Sequence, residues 1–179
     1  MDDTSSPGVA LHVATPADAA LLSNLVELYA HDLSATFALE LGEDGRFGYA
    51  KLPLYWSEPD RRFPFLIRSS GKVAGFALIT RGSPASDDPE VFDVVELFIA
   101  RRHRRSGVGR QAAFLLWNRF AARWTVRVSE GNRGGRDFWT STITACTRGE
   151  IAETTRPGRQ HAWHVLSFDS MNQVAKEDR

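Results

Sequence analysis

Only one cysteine, Cys146, stands in the 179 residues, so neither an intramolecular disulfide nor a cysteine metal cluster can be built. The histidines offer no substitute. His161 and His164 are three apart in a strand-like stretch, which sends them to opposite faces, and no metal site is expected. Charge of one sign is also missing: 22 basic and 22 acidic residues cancel, leaving no bulk attraction for nucleic acid or an anionic membrane. Any anion site must come from local clustering. No apolar run approaches the roughly 18 residues of a membrane span. Met1 to Gly8 is acidic and polar and lacks a signal-peptide pattern, so the cytoplasm is the expected location.

What remains is an ordinary globular composition, 42% hydrophobic and 25% charged, at a length that suits one domain. That domain is expected over residues 9–170, between a disordered tail at 1–8 and a C-terminal tail at 171–179. Ala10 to Ala14 reads as a strand. Thr15, Pro16 and Asp18 form a helix start, and Leu21, Leu22, Leu25, Val26, Leu28 and Tyr29 carry the helical period to about His31. Asp32 to Leu41 is expected to add a second helical piece, and Pro53 to Pro59 a short irregular or helical stretch.

Phe63–Arg68 and Val73–Arg81 read as a hairpin around Ser69-Ser70-Gly71-Lys72. Val91–Ile99 is the most strand-like run. Gly107–Ala122 is helical through Val108, Ala112, Leu115, Leu116 and Phe120. Trp124–Val128 is a strand, Asn132 to about Ser141 a short helix, and two last strands are expected at Ile143–Thr154 and His161–Phe168. Such mixing argues for an α/β (α+β) sheet with helices on its faces.

One segment carries chemistry. A strand ends at Glu96-Leu97-Phe98-Ile99. Arg101, Arg102, Arg104 and Arg105 follow, then Ser106-Gly107-Val108-Gly109 opens a helix with Arg110 in its first turn. A helix start presents unpaired N–H groups and a partial positive charge. Glycines there let a bulky anion approach the backbone. Together these make a pyrophosphate cradle. The arginines alone would equally suit a solvated basic face or a nucleic-acid patch, but a solvated face has no need of two glycines at a helix start. The segment is not a P-loop, since no Lys-Ser or Lys-Thr follows, and it lacks the further glycine and acidic residue of a Rossmann fingerprint.

Leu97 to Gly109 resembles the central motif of the GNAT superfamily of N-acetyltransferases, with Arg104, Gly107 and Gly109 at its fixed positions. His103 stands where an aromatic is usual and Arg101 where proline is usual. Asn132, Gly135, Phe138 and Trp139 resemble the family's second motif. More narrowly, His31-Asp32, Tyr55-Trp56, Phe63 to Ile67 and Val94 to Phe98 resemble a bacterial subgroup of acetyltransferases of undefined substrate. The resemblance implies a mixed, mostly antiparallel sheet of about six or seven strands with helices on both faces. It also implies acetyl-coenzyme A as co-substrate, and an amine acceptor that is a small molecule or a peptide.

The resemblance further implies roles by residue. Leu97, Phe98 and Ile99 would lie along the pantetheine arm, and the amides of Arg105, Ser106, Gly107, Val108, Gly109 and Arg110 would hold the pyrophosphate. Asn132 would add a cofactor contact, although a helix N-cap accounts for it equally. Direct attack on a thioester needs a neutral amine, hence a base. Glu96 is the best placed; its plain alternative is an exposed or salt-bridged strand carboxylate. Glu27, His31 and Asp32 are weaker candidates, and Asp87, Asp88 and Glu90 could attract a cationic acceptor. Trp139 occupies the position of the usual proton-donating tyrosine, and an indole N–H is no practical acid. That leaves Tyr29, Tyr49, Tyr55 or solvent. It also keeps open a non-catalytic acyl-coenzyme A-binding or regulatory domain on the same fold. A nucleic-acid-binding reading of Arg101–Arg110 sits badly with the neutral net charge. A homodimer is among the assemblies the sequence allows.

Overall fold

The computed structural model describes residues 8–147, 150–158 and 161–171. The tails expected at 1–8 and 171–179 fall almost wholly outside the described residues. The chain runs β1 (Val9–Val13), α1 (Ala19–Ser34), α2 (Leu54–Ser57), β2 (Arg62–Ser69), β3 (Lys72–Arg81) and β4 (Phe92–Ile99). It continues with α3 (Val108–Arg119), β5 (Arg123–Ser129), α4 (Arg133–Thr147), β6 (Ala152–Arg156) and β7 (Trp163–Asp169). The strands form one seven-stranded sheet in the order β1-β2-β3-β4-β5-β7-β6. Every neighbouring pair is antiparallel except β4 and β5, which α3 links as a parallel crossover.

Period-2 alternation sorts the side chains between two cores. Phe65, Ile67, Ala77, Ile79, Val126 and Leu166 face α3 and α4. Leu66, Phe76, Leu78 and Phe98 face α1 and α2. Before α1, the Thr15 backbone N–H and hydroxyl both bond the Asp18 carboxylate, at 2.9 and 3.0 Å. From there Leu22, Leu25 and Val26 turn one stripe inward.

Two expected elements differ. Asp32, Leu33 and Ser34 extend α1 rather than starting a second helix, and the chain from 35 to 50 is irregular. The stretch 143–147 is the end of α4, not a strand. There Trp139, Thr142, Ile143 and Cys146 recur at helical spacing and bury one stripe, which overrides the strand preference of Thr142, Ile143 and Thr144.

Candidate active site

β4 and β5 separate. They pair only over Phe92↔Trp124, Asp93↔Thr125 and Val94↔Val126, so β4 from Val95 to Ile99 has no strand partner on its β5 side among the described residues. On its other side β4 stays paired with β3 to its end, Leu78↔Glu96 through Gly75↔Ile99. Gly75 allows this contact: a Cβ there would lie 1.9 Å from the Phe98 carbonyl oxygen. That carbonyl and the Ala100 N–H, which donates to the Ala74 carbonyl at 2.8 Å, both point at β3. By the alternation of antiparallel pairing, the backbone groups of Leu97 and Ile99 point the other way, into the fork.

The fork's mouth is the loop between β4 and α3. Arg105 has φ 61° and Gly107 φ 83°, so the chain turns back on itself before the helix begins. The backbone N–H groups of Arg105, Ser106, Gly107, Val108, Gly109 and Arg110 find no acceptor among the described residues; the next, Gln111, donates to the Gly107 carbonyl at 3.0 Å. Six successive bare amides at a helix start form a concave donor surface. Gly109 has a second use beside anion approach. A Cβ there would come within 3.2 Å of Phe138 and 3.5 Å of Ile99, so its smallness lets α4 pack across the loop.

The arginines divide into two groups. Arg101 bonds Asp32 at 2.9 Å, and Arg104 bonds both Asp32 and the Ile99 carbonyl, the latter at 2.6 Å. These two fasten the loop to the end of α1. Burial works against the Asp32 carboxylate, but the Arg104 and Arg101 guanidiniums hold its pKa below the usual range. Arg102, Arg105 and Arg110 make no ion pair among the described residues.

Inside the fork, Tyr29 from α1 donates to Glu96 Oε2 at 2.5 Å, and Tyr49 donates to Oε1 at 3.0 Å. Glu96 keeps some solvent contact by area, yet protein crowds its carboxyl. That desolvation raises its pKa against the opposing pull of the two hydroxyls and of Arg127. Burial, and then the Glu96 charge, push the Tyr29 and Tyr49 phenols up; burial likewise raises Tyr55.

Sequence reasoning missed the network where the strands part. Asp93 is fully buried and accepts from Thr125 at 2.7 Å, Ser83 at 3.0 Å and Arg127 at 2.8 Å. Arg127 lies just beyond the last β4–β5 pair and reaches back across the gap. The buried position of an aspartate within an apolar strand was the available signal.

The remaining candidates are dispersed. Asn132 caps α4, its side-chain oxygen accepting from the Gly135 N–H at 2.9 Å. Trp139 is 8% exposed, in the core beside Trp117, while Phe138 sits over Gly109. Glu27 accepts from the amides of Phe47 and Gly48, at 2.7 and 3.1 Å, and holds that loop. His31 is exposed beside Phe47. Asp88 and Glu90 pair with Arg123 and Arg81 at the other end of β4. Among the described residues no cluster of His, Cys, Asp or Glu could hold a metal, and no helix is long and apolar enough to cross a membrane.

A family model described as the acetyltransferase (GNAT) family matches residues 23–141. No curated protein sequence matches. Among solved structures, an acetyltransferase from Thermus thermophilus is 21% identical with TM-score 0.63, over 91% of this chain and 99% of that one. An aminoglycoside acetyltransferase in complex with coenzyme A is 13% identical with TM-score 0.67, over 96% and 100%. The spermidine N-acetyltransferase from Vibrio cholerae, in complex with coenzyme A and spermine, is 10% identical with TM-score 0.64, over 93% and 98%. At these identities the likeness is one of fold.

Proposed function

Because the chain belongs to the GNAT family of acetyltransferases, we propose that it moves an acetyl group from acetyl-coenzyme A to a primary amine by direct attack in a ternary complex. The observation that carries this reading is the run of six bare amides from Arg105 to Arg110 at the mouth of the β4–β5 fork. The residues present fit the co-substrate. Those amides match a diphosphate, with Arg102, Arg105 and Arg110 adding positive charge that no described residue pairs. The inward backbone groups of Leu97 and Ile99, flanking Phe98, match the amide-bearing pantetheine arm.

Acetyl-coenzyme A supplies an activated thioester, and the protein's residues do the rest. Arg104 braces the loop against Ile99 and α1. Phe138 walls the fork at Gly109 with Trp139 behind it, so Trp139 acts on the site through its neighbour. Asn132 fixes the start of α4. Glu96 takes the proton from the amine as its nitrogen bonds to the acetyl carbon. The C–S bond then breaks, and sulfur departs as a thiolate protonated by solvent. The phenols of Tyr29 and Tyr49 are too weakly acidic for that step and instead orient the base.

A second reading, binding without transfer, is favoured by one observation: α4 offers Trp139, not a hydroxyl, at the usual acid position. Calorimetry with coenzyme A, joined to thiol release from acetyl-coenzyme A across an amine panel, tests both. Binding with release supports the transferase, binding alone supports the second reading, and no binding contradicts both.

A further inference from the structure

The side of the fork that faces α1 is aromatic, and its negative charge is largely spent. The loop over residues 35–50 leaves α1, crosses the end of β5 and returns to β4. Its Thr36 lies 3.5 Å from where a Cβ on Gly131 would stand. Phe37 then packs on His161 at 5.2 Å between ring centroids, and His161 on Trp163 at 4.7 Å. At the other end of the loop, Tyr49 meets Glu96. Arg127 lies beside the Trp163 end, its guanidinium 5.8 Å from that ring.

Three carboxylates around this space are already engaged by cations. Asp93 is taken by Arg127, Asp32 by Arg101 and Arg104, and Glu27 by Arg46 and two amides. Among the described residues Glu96 faces the fork without a cation bonded to it. Glu40, Glu43, Asp44 and Glu130 are solvent-exposed, where a pair with a cation is worth little.

We propose that the acceptor is a monoamine with a flat apolar body, an arylalkylamine in chemical class, and not a polyamine or aminoglycoside. One nitrogen is served by Glu96, and the ring is received among Phe37, Trp163 and Tyr49. A second ammonium would find no unspent buried carboxylate among the described residues. Arg127 already lies over one face of Trp163.

The inference rests on the acetyltransferase reading, and one experiment separates the two. Phenethylamine, spermidine and kanamycin are compared as acceptors by thiol release, and phenethylamine binding to the coenzyme A-loaded protein is measured by calorimetry. The expected result is a kcat/KM for phenethylamine about tenfold or more above the polycations, with measurable binding. Phe37→Ala should raise KM for phenethylamine about tenfold, equivalent to the loss of one aromatic contact, with kcat nearly unchanged. A preference for spermidine or kanamycin overturns the inference. So does protein that binds coenzyme A yet ignores phenethylamine. Failure to bind coenzyme A at all would remove the acetyltransferase reading and this inference with it.

Discussion

The Tyr29 hydroxyl on α1 donates to Glu96 Oε2 on β4 at 2.5 Å, tying the helix that covers the fork to the carboxylate inside it. With Tyr49 on the other oxygen at 3.0 Å, both bonds favour the charged carboxylate while burial favours the neutral acid. A base must be unprotonated, so kcat/KM should fall as pH drops through the Glu96 pKa. Removing a hydroxyl removes stabilisation of the anion. Tyr29→Phe and Tyr49→Phe should therefore each move the acid limb of the pH profile upward, and the double variant further. A limb that stays fixed in both variants would detach the tyrosines from the base.

Glu96→Gln should lower turnover about a hundredfold or more, the usual loss for a positioned base, with coenzyme A affinity unchanged in calorimetry. Stability provides an independent reading. A carboxyl whose pKa rises on folding favours the fold while protonated and loses that advantage as pH climbs through its folded value. The neutral amide escapes that loss, so the variant should melt no lower than the parent at neutral pH.

Gly75→Ala should be severe although it adds one methyl group. The new Cβ would fall 1.9 Å from the Phe98 carbonyl, so β4 must leave β3 at the level where the fork is open. A loss of about 3 kcal/mol or more in urea unfolding is expected, accompanied by weaker coenzyme A binding. A substitution without effect on either would show that β4 can slide freely there.

Asp93→Ala breaks a carboxylate that is fully buried and holds Arg127, Thr125 and Ser83 together. Removing one partner of a buried pair typically costs about 3–5 kcal/mol, and chemical denaturation should register a loss of that size. Because the network stands where β4 and β5 part, KM for the acceptor should also rise.

How much of this was legible in the sequence depends on how local each signal is. The β4–loop–α3 segment announces itself over a short span through apolar strand, arginines, glycines and helical period, and the structure keeps that order. The division among the arginines was not legible. Arg101 and Arg104 are ordinary loop cations until Asp32 arrives from the end of α1, far earlier in the chain. The same holds for Arg127, whose partner lies on a strand that neighbours it only for three residue pairs. The end of α4 misled for the opposite reason: Thr142, Ile143 and Thr144 prefer strands, and only the packing of Ile143 and Cys146 against the sheet makes that stretch a helix. In the sequence Gly109 stands for room for an anion, and its contact with Phe138 belongs to tertiary structure alone.

The central claim is that the backbone donors from Arg105 to Arg110 receive a diphosphate. Amide-resolved NMR of the labelled protein titrated with coenzyme A tests it directly, with pantetheine, which lacks the diphosphate, as control. Coenzyme A should move the resonances of these six residues more than those of the rest of α3, and pantetheine should leave them in place while shifting Leu97 and Ile99. Resonances for Arg105 to Arg110 that stay put at saturating coenzyme A would contradict the account.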